Sequence, residues 1–417
     1  MTPEATPARK WRHRLVLVLL FFLIVAAIIS RRPDCVFNAQ FWAEDGKLRF
    51  ASNYNLGVLK ALTIPEAGYF QTFPRLAAAV AMLVPFRYAP LVVSLLAIAV
   101  QTLPAFFLLT ARFERLAPFR ARLLMSLLLI AIPTSFEVHA NVTGSMWFLS
   151  LTAFLIVMAA PPRDWGWRIF DVALVALSGM TGPFCVFLLP VAIVQAYFRH
   201  QRWTWLLVGI LCATAGVQIS EIFSGVATRT GAPLGATPEL FVRIVGGRTI
   251  VTPLLGLDFL PNHPAIAFPL CAAALAGAGL LVVYAFLKAP LELRLLGVFG
   301  CCFLAGALML PLVSEHDAAW PQMVHPRVAV RYWVIPVVAF VWICVWMVAR
   351  GRPVAVRAIG SLLLAAALWT DIRYWRYAPL EDLDFPRYAA EFDRAPAGQA
   401  VTIPINPRGW SMVLRKH

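Results

Sequence analysis

Leu15-Val16-Leu17-Val18-Leu19-Leu20-Phe21-Phe22-Leu23-Ile24-Val25-Ala26-Ala27-Ile28-Ile29 is an unbroken apolar run. Arg9, Lys10, Arg12 and Arg14 precede it, and Ser30-Arg31-Arg32-Pro33 follows. Basic residues before an apolar segment are what a first membrane span requires. They are also what a secretory leader carries, but no small-residue cleavage pattern follows, so the run is read as an uncleaved span. Working outward, the same kind of run recurs, for example over residues 91–111 and 265–287. The chain is 60% hydrophobic and 14% charged, whereas a soluble domain carries about 25% charged residues. Its 417 residues have room for roughly ten to thirteen spans of about 20 residues. The expectation is an all-α integral membrane protein of about 11 transmembrane helices. Residues 1–371 form one polytopic domain and residues 372–417 a short tail.

The net charge of +15 does not point to nucleic acid. The arginines cluster in short segments between apolar runs (112–122, 161–168, 199–202, 288–294 and 350–357), as the positive-inside rule demands. Those segments and the N-terminus are therefore read as cytoplasmic. The less basic loops 31–75, 139–145, 221–264 and 314–332, and the tail, face the other side. Spans are placed near 15–30, 89–111, 123–137, 145–160, 169–181, 183–198, 204–220, 265–287, 295–313, 333–349 and 358–370, an odd number that agrees with termini on opposite sides. Residues 74–86 are apolar but short and are read as partly inserted. Gly179-Met180-Thr181-Gly182-Pro183 breaks the helices at 169–198, which is tolerated at membrane depth only against protein or a water-filled cavity. Of the seven cysteines, all but Cys35 lie in apolar runs without metal-type spacing and read as small hydrophobes.

Polar chemistry concentrates in the first outer loop, residues 31–75. It holds Asn38-Ala39-Gln40-Phe41-Trp42-Ala43-Glu44-Asp45-Gly46-Lys47, an adjacent acidic pair in a chain with only 21 acidic residues. Segments 41–50 and 55–62 read as interfacial amphipathic helices with their aromatics toward lipid. Glycosyl transfer from a lipid phosphate needs a base for the acceptor hydroxyl and cations for the departing phosphate. Two adjacent acids can divide roles, because like charges push their pKa values apart. Asp45 is the expected base, with Glu44 assisting. Arg327 and Arg331, four residues apart on an outer loop, suit phosphate, and Lys47 and Arg75 join them as candidate donor-phosphate ligands. Tyr69, His139, Asn141, His316 and His325 are candidates to line the cavity. Glu315-His316-Asp317 and His325 have no regular metal spacing; no metal site is assigned, and a divalent ion is left open. The glycines of 221–264 (Gly225, Gly231, Gly235, Gly246, Gly247) suggest a mobile lid.

The layout resembles the GT-C superfamily of polytopic glycosyltransferases: a first span, an outer loop with the pair in Trp42-Ala43-Glu44-Asp45-Gly46, about ten further spans and an outer tail. Gly68-Tyr69 with Pro74-Arg75-Leu76, Arg331-Tyr332-Trp333 with Pro336, and the tail Ile403-Pro404-Ile405-Asn406-Pro407-Arg408-Gly409-Trp410 are similar to bacterial members that decorate surface glycans. The resemblance implies a polyprenyl-phosphate-linked sugar donor, a glycan or lipid-linked acceptor, a workplace on the outer face of the bacterial inner membrane and an acidic base. The Glu-Asp order departs from the Asp-Glu or Asp-x-Asp order of better-known members. Two other readings stand beside this one. A flippase or transporter of a lipid-linked glycan precursor would carry ionisable groups at midspan. A surface-glycan polymerase would share the outer arginines without needing the acidic pair.

Overall fold

Apolar runs fold as helices in a membrane because only an internal ladder there satisfies every backbone N–H and C=O. The computed structural model describes residues 7–224 and 231–417 and, in the first helix, the side chains of Trp11 and residues 15–31. Among the described residues, eleven helices of thirteen residues or more follow the apolar runs. They are α1 (Pro7–Arg31), α2 (Ala89–Phe107), α3 (Phe119–Ala131), α4 (Ser145–Met158), α5 (Trp165–Gly179), α6 (Phe184–Arg199), α7 (Arg202–Ser224), α8 (Pro264–Lys288), α9 (Leu291–Met309), α10 (Val334–Arg350) and α11 (Val354–Arg373). Among the described residues, six helices are long and apolar enough to cross a membrane: Phe86–Phe107 and Val330–Arg350, which include 3-10 lead-ins to α2 and α10, together with α7, α8, α9 and α11. Leu15–Arg31, α4 and α6 are shorter apolar helices. The chain is a helical multi-pass membrane protein, and each of the eleven ranges read from the sequence overlaps one helix, although the range 123–137 runs past the helix end at Ala131 into non-helical chain. Residues 74–86 include a short helix, Thr72–Ala81.

Burial ranks the helices. Every residue of α4 is buried, as is nearly all of α10, so these two form the centre. Only Ala267, Cys271 and Ala285 of α8 are buried. An apolar helix exposed on most sides needs lipid around it. The turn at 179–183 is held against protein. Thr72 N donates to the Met180 carbonyl at 3.0 Å and Gly182 N to the Phe70 carbonyl at 2.9 Å. Gln218 donates to the Gly179 carbonyl at 3.0 Å.

Loops gather at two ends. At the end that holds the start of α3, Arg112 makes a two-pronged pair with buried Asp171 at 2.6 and 2.8 Å. Asp171 also accepts from Trp203 Nε1 at 3.0 Å. At the opposite end, α3 and α4 stop short. Thirteen or fourteen residues make about 20 Å of helix at 1.5 Å per residue. The segment joining them, residues 132–144, is buried along most of its length.

The helical membrane part is as expected, and the tail adds to it a helix, Phe385–Arg394, and an antiparallel hairpin, β1 (Ala400–Ile405) with β2 (Trp410–Arg415), in the register Ile405 to Trp410. In each strand alternate residues (Ile403 and Ile405; Met412 and Leu414) are buried, the period-two signature of a half-buried strand. Phe41 and Phe50, in the segment expected to lie on lipid, turn inward. Phe41 and Phe50 are 1% and 2% exposed and, with Phe86, pack against Phe385 and Phe392 of the tail; residues 45–62 run as a π-turn and two short helices, Asp45–Phe50, Ala51–Leu56 and Val58–Leu62. The expected lid is partly a packed element. Residues 238–255 are helical, and a Cβ on Gly246 would lie 2.2 Å from the Cys271 carbonyl oxygen. Gly225 lies outside the described residues.

Replacing Arg112 with leucine leaves the Asp171 carboxylate buried without a cation. This should cost about 3–5 kcal/mol, measured as thermal unfolding in detergent, and the double change to leucine at 112 and 171 should restore much of it.

Candidate functional site

A buried loop must find partners for its backbone, and the 132–144 segment finds them in side chains from four other regions. Arg31 donates to the Ile132 carbonyl at 3.0 Å and also to that of Ile130. Tyr377 OH reaches the Ile132 carbonyl at 2.9 Å. Gln101 accepts from Ala140 N at 3.2 Å and pairs with His139 Nδ1 at 3.1 Å. Asn141 accepts from Gly144 N at 2.6 Å. Asp45, 2% exposed, closes the set: its carboxylate accepts from Val142 N at 3.0 Å, Thr143 N at 2.9 Å and Thr143 Oγ1 at 2.6 Å. Burial, opposed by those three donors, pushes the Asp45 carboxyl up to about 6.

Beside this loop lies a cavity of about 260 Å³. The first outer loop contributes Glu44, Arg49, Glu66, Tyr69 and Gln71, the buried loop Glu137, Asn141 and Thr143, α4 Trp147, and the far side Leu312 and Arg331. Ala43, immediately before Glu44, has φ of 36°, a costly value for a residue with a side chain. The tail holds it there, since Ala43 N donates to the Asn406 carbonyl and Asn406 N to that of Phe41 at 3.0 Å. Asp45 then begins a π-helical turn, Asp45–Phe50, a geometry frequent at functional sites.

The charges in this cavity are paired, with one exception. Arg49 bonds Gln71 Oε1 at 2.6 Å and pairs with Glu66, which Arg75 also approaches at 3.6 Å. Glu66 is positioned by a tight hairpin to Tyr69, in which Ala67 and Gly68 both adopt positive φ. Arg331 pairs with Glu137 and donates to the Leu312 carbonyl, while its backbone N–H bonds Glu137 Oε2 at 3.0 Å. Glu44 is half-buried and, among the described residues, has no hydrogen bond or ion pair. The buried indole N–H of Trp147 also lacks an acceptor. Burial, with Arg75 close by, pulls Arg49 down to about 10, still protonated at neutral pH.

The residues expected from sequence divide accordingly. Glu44, Tyr69, Asn141 and Arg331 line the cavity. Asp45 and His139 line a much smaller void of about 10 Å³, with Arg32 and Gln40. Burial and the nearby Arg31 and Arg32 push His139 well below the usual range, so it is neutral. Arg75 stands behind the wall, donating to the Ile64 carbonyl at 3.0 Å. Lys47 is exposed, over the Trp410 ring at 5.1 Å. Arg327 is not on one helical face with Arg331, because Ala329 turns left-handed at φ 52° between them. Arg327 pairs instead with Asp258 at 2.9 Å. His316 and His325 are exposed and outside the cavity. Among the described residues no three His, Cys, Asp or Glu side chains gather to hold a metal. Arg49, Glu66, Gln71, Glu137 and Trp147 were not singled out from sequence. Glu137 carried a readable signal, an acid at the very end of an apolar run. No family model and no curated protein matches the chain.

Two measurements follow from this geometry. Asp45→Ala strands two buried N–H groups and a hydroxyl, each costing about 1–3 kcal/mol. It should lower thermal stability clearly, whereas Glu44→Ala should stay within about 0.5 kcal/mol. The pH dependence has a definite sign. The folded value of about 6 lies above the ordinary 3.8, so the contribution is fully present below the ordinary value and lost as pH rises through about 6. Wild-type stability relative to Asp45→Asn should therefore improve between pH 7 and pH 4.

Proposed function

We propose that this chain is a GT-C-like glycosyltransferase that moves a sugar from a polyprenyl-phosphate donor to a glycan or lipid-linked acceptor. On this reading the eleven helices all cross the membrane. The arginine-rich end, with the N-terminus, faces the cytoplasm, and the cavity end, with the C-terminus, faces outward, following the positive-inside rule. The observation that carries the reading is the Glu44 carboxylate, near Arg49 but with no hydrogen bond or ion pair among the described residues, in a cavity whose other carboxylates are each ion-paired with an arginine.

In the step proposed, Glu44 takes the proton of the acceptor hydroxyl. The acceptor oxygen bonds the anomeric carbon, and the carbon–oxygen bond to phosphate breaks with its electron pair leaving on the phosphate. The base sits within the cavity, as general-base catalysis requires. Arg331, held by Glu137, is the cation of the set nearest in role to the departing phosphate. Lys47, Arg75 and Arg327 lie outside the cavity and are not given this role. Asp45 is a positioning residue in this scheme rather than the base: it is buried and both its oxygens already accept from Val142 or Thr143.

Glu44→Gln should lower transfer by about a hundredfold or more with unchanged membrane insertion and thermal stability. The assay is mass spectrometry of surface glycans and lipid-linked intermediates in a deletion strain complemented with each variant. Near-normal glycans from Glu44→Gln would sink the assignment.

A further inference from the structure

At the end of the bundle opposite Glu44 lies a second cavity, of about 420 Å³. Its volume is within the range of small-molecule sites, about 300–1,000 Å³. It is enclosed by α3, α4, α9 and α10, and its floor is apolar: Phe154, Leu155, Leu296, Trp342 and Val345, all buried. Water would find too few polar partners on such a floor to be held there, and an empty cavity would forfeit the dispersion contacts of its lining. The rim differs from the floor. Arg122, 3% exposed, donates to the carbonyls of Ala117, Leu108 and Thr110 at 3.1, 3.0 and 2.7 Å; among the described residues it makes no ion pair, and Glu114 acts on it only through space. Arg350 at the mouth is exposed. The single acid of the lining, Glu292, is already paired with Arg199. An apolar interior under a rim of cations that no lining carboxylate pairs with matches an amphiphile with an anionic head, and the bilayer around the helices supplies one.

We propose that this cavity binds one acyl chain of an anionic phospholipid, with the phosphate at the Arg122–Arg350 rim. Basic pockets between transmembrane helices recognise anionic headgroups in this way. The site is independent of the transfer chemistry proposed for the other end.

The test is native mass spectrometry of the purified full-length protein in detergent, titrated with dioleoylphosphatidylglycerol or dioleoylphosphatidylcholine. The phosphatidylglycerol adduct should form at a concentration lower by about fivefold for each rim arginine that acts on the anionic head. Arg350→Gln, at an exposed position, should narrow that preference by about fivefold, leaving the share of Arg122. Ala121→Trp, which fills the cavity, should remove the adduct, with circular dichroism and thermal unfolding checking that it folds. Glycerol 1-phosphate, a head without chains, should neither bind nor compete. Equal binding of the two lipids by wild type, an unchanged preference in Arg350→Gln, or competition by glycerol 1-phosphate would each overturn the proposal.

Discussion

The carboxylate of Asp45 takes the N–H groups of Val142 and Thr143 and the Thr143 hydroxyl, and the cavity end of the protein depends on this contact. Two short helices, α3 and α4, leave the segment that joins them, residues 132–144, mostly buried. A buried, non-helical backbone in a membrane protein must be satisfied by other parts of the protein. Arg31, Gln101, Asn141 and Tyr377 meet part of that demand, and Asp45 meets the part next to α4. Because Asp45 is anchored, its neighbour Glu44 and the loop residue Glu137 share one cavity wall.

The tail is part of the same arrangement. The carbonyl of Asn406 receives Ala43 N, and the side chain of Asn406 accepts from Glu381 N at 2.9 Å. The hairpin therefore braces the strained residue before the acidic pair. Phe41 and Phe50 spend their apolar surface on the tail rather than on lipid, which ties the last residues of the chain to the first loop. The loop that carries Glu44 is thus held by packing and hydrogen bonds from segments more than three hundred residues apart in sequence.

The helices were legible because the membrane enforces one rule on every apolar run, so hydropathy and loop charge located each long helix, while the end at Ala131, where the chain stays apolar without staying helical, did not show. The acidic pair was legible because charge is scarce in this chain. Its division of labour was not. Which of two adjacent acids faces a cavity depends on the left-handed turn at Ala43 and on a loop almost a hundred residues away, and neither is a local property. The same limit explains Arg327 and Arg331, whose spacing suggested one helical face until Ala329 reversed the chain between them. The hairpin escaped notice because Pro404 and Pro407 mask an alternation that only the burial of Ile403, Ile405, Met412 and Leu414 makes plain.

The most direct check is carbodiimide-driven labelling of carboxylates with glycine ethyl ester on the folded protein in detergent, with modified positions resolved by fragmentation of the peptide that holds both acids. The account predicts that Glu44 is modified while Asp45 is protected until the protein unfolds. Labelling of Asp45 as fast as Glu44 in the folded state would contradict it.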